Sequence, residues 1–423
     1  MNTNIEQFKA SLQQASGLLN QKNYTEAKEI LESLAKESIK FEENQEIEYY
    51  NFDDPVDFRI FSLLYKTNKS YKWLAIPFLS VFSYLSYIYV EEKNFEEANI
   101  YIKKAIRWAP LNLSARFEKC EIAKIQNDME TFKNITLSIY DMIYNDVDLA
   151  RYYRNLGYYY IEKHDLNLAY ALFTASLQFD NNPNAYGEIA YINGILKRDK
   201  YIMSAEEGKA LLKANNIPFG VNKTNANLLV NILNNDSEFV SNPNIQMLLL
   251  KRIYGLTKDN HYSPYVTIQN SKVGLQMQIP RIFKPLKSEI IKEKLSPNNV
   301  LAILTSTNAL FQCVYDGKCL PERFEEVYKL NIDNALKNGL KVLKEKDLNL
   351  NLEQGTKLFK LAIIDVNGLK VLHGFTLINN IFVDFSIPID NNIDYNDVIT
   401  LNNSKNVQHY LNMLSSIKEI QIS

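Results

Sequence analysis

Residues 94–98 read Asn-Phe-Glu-Glu-Ala, and two other stretches of the chain repeat this arrangement. Residues 23–27 read Asn-Tyr-Thr-Glu-Ala, and residues 165–169 read Asp-Leu-Asn-Leu-Ala. The alanines that end the three stretches are separated by 71 residues in both intervals. Because a small side chain lets two helices approach closely, a small residue at a constant interval predicts an internal helical repeat.

The residues around these alanines also recur. Each copy places a small residue on a first helix and an aliphatic or aromatic residue on a second helix, and the later two copies end near a proline. The recurring positions are Ala15, Leu18, Ala27 and Leu31; Leu85, Ser86, Tyr89, Ala98, Ile102, Ala105 and Pro110; and Leu156, Gly157, Tyr160, Ala169, Phe173, Leu177 and Pro183. This pattern resembles the tetratricopeptide repeat (TPR), a helix-turn-helix unit of about 34 residues.

The resemblance covers residues from about 10 to 220 and is to TPR proteins of an uncharacterised bacterial type. It implies an α-solenoid and no reaction. Within the second interval, residues 112–144 fit a degenerate repeat in which Phe132 replaces the small residue. Within the first interval, residues 41–72 contain Asp54-Pro55, which breaks a continuous helix, so we interpret them as an insertion that packs on the solenoid. Helical segments over about 200–258 are expected to cap the solenoid.

Near residue 258 the apolar periodicity changes from helical to alternating, which predicts a boundary between a domain at 1–258 and a second domain at 262–423. Short predicted strands precede a helix at about 321–338, and residues 357–387 form a three-stranded meander whose first turn is Asn367-Gly368. A last helix follows at about 405–417. We therefore predict an antiparallel sheet with helices on one face, a smaller α+β domain after a mainly α domain. The order is similar to that of PsbP-like and DcrB-like α/β domains.

Composition excludes several classes of protein. Lys and Arg number 47 against 49 Asp and Glu, so the chain has no basic excess for nucleic acid. The uncharged stretch 73–90 contains Pro77 and fits a helical repeat, so we expect no membrane partner. The N-terminus lacks the pattern of a secretory signal, and three Cys fit a reducing compartment, which predicts a cytoplasmic protein. Trp73 and Trp108 are expected in the solenoid core.

No sequence motif of a nucleotide-binding loop, a zinc protease or a serine hydrolase is present, so we predict no enzyme, catalytic residue, metal site or cofactor. Cys313 and Cys319 flank a predicted turn at Asp316-Gly317 and would meet only across a tight hairpin, where they would form a redox or metal site. Buried free thiols are the preferred interpretation, because free Cys is commonly buried and no His lies nearby in sequence.

One histidine has acidic residues on the neighbouring predicted strands. His373 lies on the middle strand of the meander, and Asp365 and Asp384 lie on the adjoining strands. Either carboxylate can orient a histidine base, although an ordinary half-exposed strand histidine explains the same residues.

The candidate binding residues lie on predicted first helices. In TPR proteins the first helices line a concave groove, so the resemblance implies that polar and aromatic residues on them contact a partner. Four residues of the third copy share one side of the helix by their spacing, and two tyrosines of the second copy occupy matching positions. These residues are Arg151, Arg154, Asn155, Tyr158, Tyr84 and Tyr87. We expect a mixed aromatic and basic groove for a protein segment, with specific capture of a carboxylate, or packing of the tyrosines between repeats, as alternatives.

The sequence therefore favours a protein-protein adaptor that binds a protein or peptide segment in the groove and has a second binding surface on the α+β domain. One alternative is an enzyme or small-molecule binder with its site in the C-terminal sheet. Another is a stress or defence regulator that controls a separate effector. The identity of the partner and the oligomeric state do not follow from one sequence.

Overall fold

The computed structural model describes residues 5–44, 46–66, 68–198, 202–389 and 405–422. The chain forms two compact units, Met1–Tyr262 and Ser263–Ser423. The first unit is mainly helical and TPR-like, and the second contains an antiparallel sheet, so the predicted fold class is confirmed.

The first unit consists of helices arranged largely in antiparallel pairs and one small sheet. Its helices are α1 (Ile5–Asn20), α2 (Tyr24–Lys36), α3 (Ile39–Glu42), α4 (Pro55–Leu64), α5 (Phe78–Glu91), α6 (Phe95–Trp108), α7 (Ser114–Ile125), α8 (Met129–Ile139), α9 (Asp146–Glu162), α10 (Leu166–Leu177), α11 (Pro183–Ile195), α12 (Ala205–Ala214), α13 (Lys223–Asn235) and α14 (Pro243–Thr257). Its strands are β1 (Ile47–Tyr50) and β2 (Ser70–Trp73), which pair in parallel.

The turn inside each helix pair explains the recurring Asn or Asp. In four pairs a residue with a left-handed backbone precedes an Asn or Asp whose side chain accepts a hydrogen bond from the third residue after it. The capping residues are Asn23, Asn94, Asp128 and Asp165. The degenerate copy, α7 and α8, therefore uses the same turn as the other pairs.

The helix crossing explains the recurring small residues. Ala27, Ala98 and Ala169 have no exposed surface. Each crossing has two further positions, one on the first helix and one four residues after the alanine on the second helix, and their side-chain sizes are complementary. Gly157, the smallest residue, lies opposite Phe173, the largest, whereas Ser86 lies opposite Ile102. A Cβ on Gly157 would lie 2.9 Å from two ring carbons of Phe173, so this crossing has no room for a larger residue.

The two 71-residue intervals contain different structures. The second interval contains the pair α7 and α8. The first contains α3, β1, α4 and β2, and the helices on either side of these elements contact each other directly. Lys28 of α2 pairs with Glu92 at 2.8 Å, and the Tyr24 ring lies 6.1 Å from the Tyr87 ring of α5. Helix stacking therefore continues past the residues between α2 and α5, which we call the insertion (residues 37–77).

The insertion is held to the helices by buried polar groups. The Asn51 backbone N–H donates to the carbonyl of Trp108 at 2.7 Å, and its side chain bonds to the backbone of Leu74, Ile76 and Leu79. Trp108 itself is fully buried, as predicted. Trp73 was expected in the core, but it lies on β2 of the two-stranded sheet and is 41% exposed.

The second unit contains a seven-stranded and a three-stranded antiparallel sheet. Its strands are β3 (Tyr265–Asn270), β4 (Leu275–Pro280), β5 (Lys284–Pro285), β6 (Asn299–Leu304), β7 (Leu310–Lys318), β8 (Lys341–Leu352), β9 (Gly355–Val366), β10 (Leu369–Ile378), β11 (Ile381–Pro388) and β12 (Lys418–Glu419). The strand orders are β5-β6-β7-β11-β10-β9-β8 and β12-β4-β3. The helices in the described part of this unit are α15 (Ser288–Lys294), α16 (Phe324–Lys337) and α17 (Lys405–Ser415).

The meander is observed as predicted, whereas the placement of the helices was wrong. Asn367 and Gly368 both have positive φ angles and join β9 to β10, as a type I′ turn requires. Helix α16 packs on one face of the large sheet through Phe324 and Tyr328, and α17 packs on the opposite face through Tyr410. The sheet carries apolar residues on both faces, because alternate residues of β9, β10 and β11 are buried on each side.

Candidate partner-binding surface

The candidate surface is formed by first helices of the helix pairs, α5, α7 and α9. Four of the predicted residues lie on α9 and two lie on α5. The structure brings the α9 residues against α7 and against the loop before α11, whereas the α5 residues contact α2. Among the described residues no recorded contact joins the two groups.

Arg151 is engaged by α7 on two sides. Its guanidinium donates to the Glu118 carboxylate at 3.1 Å and lies 4.6 Å from the centre of the Phe117 ring. The charge of Arg151 is therefore already balanced inside the surface, while the side chain remains about one-third exposed. A partner carboxylate would compete with Glu118 for this guanidinium.

Arg154 is more deeply placed than Arg151. It donates to Asp180, in the loop between α10 and α11, at 3.0 Å. Burial lowers the pKa of Arg154, and the Asp180 carboxylate acts in the opposite direction. Because both arginines already pair with carboxylates of this chain, α9 does not offer two unpaired cations to a carboxylate of a partner.

Asn155 differs from the two arginines because it is buried and its amide donor is unpaired. The residue is only 7% exposed, and its Nδ2 atom has no hydrogen-bond partner among the described residues. The nearby Cys120 thiol of α7 supplies at most a weak sulfur acceptor, and burial raises the pKa of that thiol to about 11. A buried amide donor without an acceptor costs about 1–3 kcal/mol, so this position is unfavourable for the isolated fold.

Tyr158 provides the aromatic part of the α9 group. It is half-buried, its ring meets Phe132 edge-on at 6.0 Å, and the Lys124 ammonium lies 4.6 Å from its centre. Burial raises the pKa of Tyr158, and the Glu162 carboxylate adds to this rise. The phenol therefore stays protonated at neutral pH and can donate or accept a hydrogen bond.

The two α5 tyrosines line a separate part of the surface. Tyr84 is half-buried among the apolar residues of α1, α2, α5 and α6, whereas Tyr87 is 44% exposed. The Tyr87 and Tyr24 hydroxyls are 3.5 Å apart, and this hydrogen bond raises the pKa of Tyr24. The sequence analysis did not identify Tyr24, Phe117 and Asp180 as part of this surface. Only Asp180 has a signal in the sequence, because it lies in the short loop just before α11.

The histidine of the C-terminal sheet has one of its two predicted partners. His373 Nδ1 lies 2.8 Å from Asp384 Oδ2, whereas Asp365 accepts a hydrogen bond from the Gly368 N–H in the adjacent turn. Burial lowers the pKa of His373, but the Asp384 carboxylate outweighs burial and the pKa is raised. Among the described residues, His373 does not line the cavities of about 340, 500 and 570 Å³.

Cys313 and Cys319 do not meet, and the preferred interpretation of buried free thiols is the one that the structure shows. Asp316 and Gly317 form an irregularity within β7 and not a turn, because Gly317, with φ +106°, still pairs with β11. The two residues thus follow one another along an extended segment about 20 Å long. Both are buried free thiols, and burial raises the pKa of each.

No three His, Cys, Asp or Glu side chains in the described ranges come together in a way that would hold a metal ion. Within the same ranges, every helix is too short or too polar to cross a bilayer.

Two of the solved structures that resemble this chain illustrate how limited the similarity is. One is PilF of Pseudomonas aeruginosa, at 15% identity and a TM-score of 0.33, covering 61% of this chain and 95% of the other. The second is the cyanobacterial PsbP (CyanoP) of Synechocystis sp. PCC 6803, at 9% identity and a TM-score of 0.27, covering 37% and 92%. No family model matches the chain, and no curated protein matches it in sequence. The fold description therefore depends on the helix pairs and the sheets themselves.

Proposed function

We propose that the protein is an interaction scaffold whose first helices bind a segment of a partner protein, with the α+β unit as a second binding surface. The observation that carries the proposal is the Asn155 amide. Its Nδ2 donor is buried on α9 with at most the weak Cys120 sulfur as an acceptor, between Arg151 and Tyr158 on the same side of the helix. The Nδ2 atom has almost no exposed surface, so the proposal requires that the Asn155 side chain turns outward when a segment binds and donates to a carbonyl oxygen of that segment. A buried unpaired polar group in a native protein needs an explanation, and a binding role supplies one.

The charges on α9 favour recognition of backbone and side-chain polarity over capture of a terminal carboxylate. Arg151 and Arg154 are paired with Glu118 and Asp180, so the surface offers balanced ion pairs beside aromatic rings. Aromatic and arginine side chains supply most of the binding energy at many interfaces. The proposal includes no reaction and no cofactor. Its place in the cytoplasm of a bacterium is part of the same proposal and is supported by the three free thiols.

Asn155→Leu separates a binding role from a structural one. If the amide serves a partner, Leu removes an unpaired donor and the free energy of unfolding rises by about 1 kcal/mol, while binding is lost. If the amide is structural, the same substitution lowers the free energy of unfolding. Denaturant unfolding followed by tryptophan fluorescence decides between these results, because both Trp73 and Trp108 lie in the first unit.

Site-specific photo-crosslinking in cells tests the binding surface directly. A photoreactive amino acid is placed at Tyr87 on α5 or at Tyr158 on α9. The control position is Ile100 on α6, a second helix, which is 42% exposed and so matches Tyr87. Protein adducts from the two first-helix positions, lost with Asn155→Leu at Tyr158, support the proposal. Adducts of equal yield from Ile100, or no adducts from the first helices, contradict it.

A further inference from the structure

We propose that the open edge of β2 accepts an extended acidic segment of another protein as an additional strand. This site is composed of different residues from the first-helix surface, and the inference does not depend on the function proposed above. It rests on the backbone edge of β2, on the apolar side chains around it, and on the exposed lysines Lys66 and Lys72 beside it.

The backbone of β2 has an unused edge. Among the described residues β2 pairs with β1 alone. The Leu74 N–H donates to the Tyr50 carbonyl at 2.8 Å, toward β1. Because successive N–H groups of a strand point to opposite edges, the N–H and C=O groups of Tyr71 and Trp73 face away from β1. Such an edge is a template for a further strand.

Apolar side chains are exposed next to this edge. The Trp73 ring stacks on Phe58 at 6.0 Å, and the Tyr65 ring lies 6.3 Å from Tyr71. Trp73 is 41% exposed and Tyr65 is 36% exposed, and the preceding residue, Leu64, is 52% exposed. Alternate side chains of an added strand can therefore lie against aromatic surface while its backbone pairs with β2.

The insertion does not need these residues for its own attachment. Asn51 and the carboxylates of Asp54 and Asp57 make the buried polar contacts that hold it to α6 and α14. Trp73 and Leu64 take no part in those contacts. Trp73 and Leu64 are therefore available for contact with a partner.

Charge determines the chemistry of the partner. Residues 58–90 contain four Lys or Arg and no Asp or Glu. Lys66 and Lys72 are exposed, and neither forms an ion pair within the described part of the chain. The nearest carboxylate of the small sheet, Glu48, is already occupied by the hydroxyls of Tyr50 and Tyr65, both at 3.1 Å. An incoming acidic segment finds complementary charge here, whereas a basic one is repelled.

The same side chains are compatible with an anionic bilayer, which also attracts Trp, Leu and Lys. A bilayer surface does not pair with the backbone N–H and C=O groups at the edge of β2 as a strand does. The open edge therefore favours a protein segment.

The test selects peptides from a display library of random short peptides on the full-length chain. Its variants are Lys66→Glu/Lys72→Glu and a control with the same charge change at two exposed lysines on other helices, Lys103→Glu/Lys213→Glu. We expect peptides with acidic and apolar residues in alternation. These should bind the Lys66→Glu/Lys72→Glu variant at least about tenfold more weakly, but bind the control and Asn155→Leu like the wild type. Hydrogen exchange should slow at the Tyr71 and Trp73 amides when the peptide is bound.

Three results would overturn the inference. They are selection of no peptides or of peptides without acidic residues, equal binding to the Lys66→Glu/Lys72→Glu variant, and unchanged exchange at Tyr71 and Trp73. Vesicles of phosphatidylcholine and phosphatidylglycerol form a separate arm. Co-sedimentation with them that is lost in the Lys66→Glu/Lys72→Glu variant and kept in the control would reassign the surface to a bilayer. Because Asn155→Leu leaves this site intact, failure here is distinguishable from failure of the first-helix proposal.

Discussion

The Arg252 guanidinium donates to Asp57 at 2.7 Å, and the two residues are 195 positions apart in the chain. The same guanidinium donates to Asp54 at 2.5 Å, so one buried cation on α14 holds two carboxylates at the start of α4. In helical repeats each unit usually contacts only its neighbours. This ion triad instead joins the insertion to a helix near the end of the first unit, and the two elements should unfold together.

Removal of the cation should be costly. Arg252→Ala leaves Asp54 and Asp57 without their buried partner, so we expect the free energy of unfolding of the first unit to fall by about 3–5 kcal/mol. Arg59→Ala is the matched control, because Arg59 of α4 pairs with Asp236 at a more exposed position and should cost at most about 1 kcal/mol. Denaturant unfolding followed by tryptophan fluorescence measures both. Equal effects of the two substitutions would contradict the role of burial.

Asp57 should give the first unit a pH-dependent stability. Burial raises the pKa of Asp57 from 3.8 to about 6, although Arg252 acts in the opposite direction. Because the folded pKa is the higher one, the contribution of Asp57 to stability is full below pH 3.8 and is lost as the pH rises through about 6. The difference in unfolding free energy between wild type and Asp57→Asn should therefore decrease from pH 4 to 6 and then remain constant. A difference that grows with pH would mean that the carboxylate stays ionised beside Arg252.

The helix crossing of the third copy should not tolerate a larger residue by itself. Gly157→Ala places a Cβ against the Phe173 ring, and we expect a loss of about 1–3 kcal/mol. The double variant Gly157→Ala/Phe173→Leu copies the Ala15 and Leu31 combination of the first copy and should recover most of the loss. Tryptophan fluorescence during denaturant unfolding is again the measurement. If the double variant is less stable than Gly157→Ala alone, the Phe173 ring itself stabilises the crossing, and the size match between residues 157 and 173 is not what matters.

A similar fit exists in the second unit between β10 and α17. A Cβ on Gly374 would overlap the Tyr410 hydroxyl, which donates to the Phe385 carbonyl at 2.7 Å. Gly374→Ala should lower stability by about 1–3 kcal/mol, and Tyr410→Phe in the same chain should restore part of it by removing the hydroxyl. Hydrogen exchange at the β10 and β11 amides reports the result, since the second unit contains no tryptophan. The single variant Tyr410→Phe measures the cost of the lost hydrogen bond.

Much of the first unit could be predicted because its signals are local. The recurring Asn or Asp caps a helix, and the small residues mark crossings, so both are visible in sequence spacing. In the second unit β8 was missed, because Lys344, Glu345, Lys346 and Asp347 interrupt its alternation. The strand lies at the edge of the sheet, where charged side chains stay in water and protect the edge.

The binding residues could be predicted only in part, because side-chain spacing does not give the partners of a side chain. Arg151 and Arg154 lie on one side of α9 as expected, but the packing of α7 and the loop after α10 brings Glu118 and Asp180 to them. The exposure of Trp73 has a similar cause. An aromatic residue on a strand does not indicate whether its face of the strand is covered by other elements or exposed to solvent.

The equal 71-residue intervals have a consequence for the ancestry of the chain. A duplicated module of that length would place the same elements in both intervals, but one contains a helix pair and the other contains the insertion. The equal intervals therefore do not mark a duplicated 71-residue module, and the unit that recurs in this chain is the single helix pair. A gene lacking the insertion would have encoded an uninterrupted series of such pairs, because α2 and α5 already meet as consecutive members.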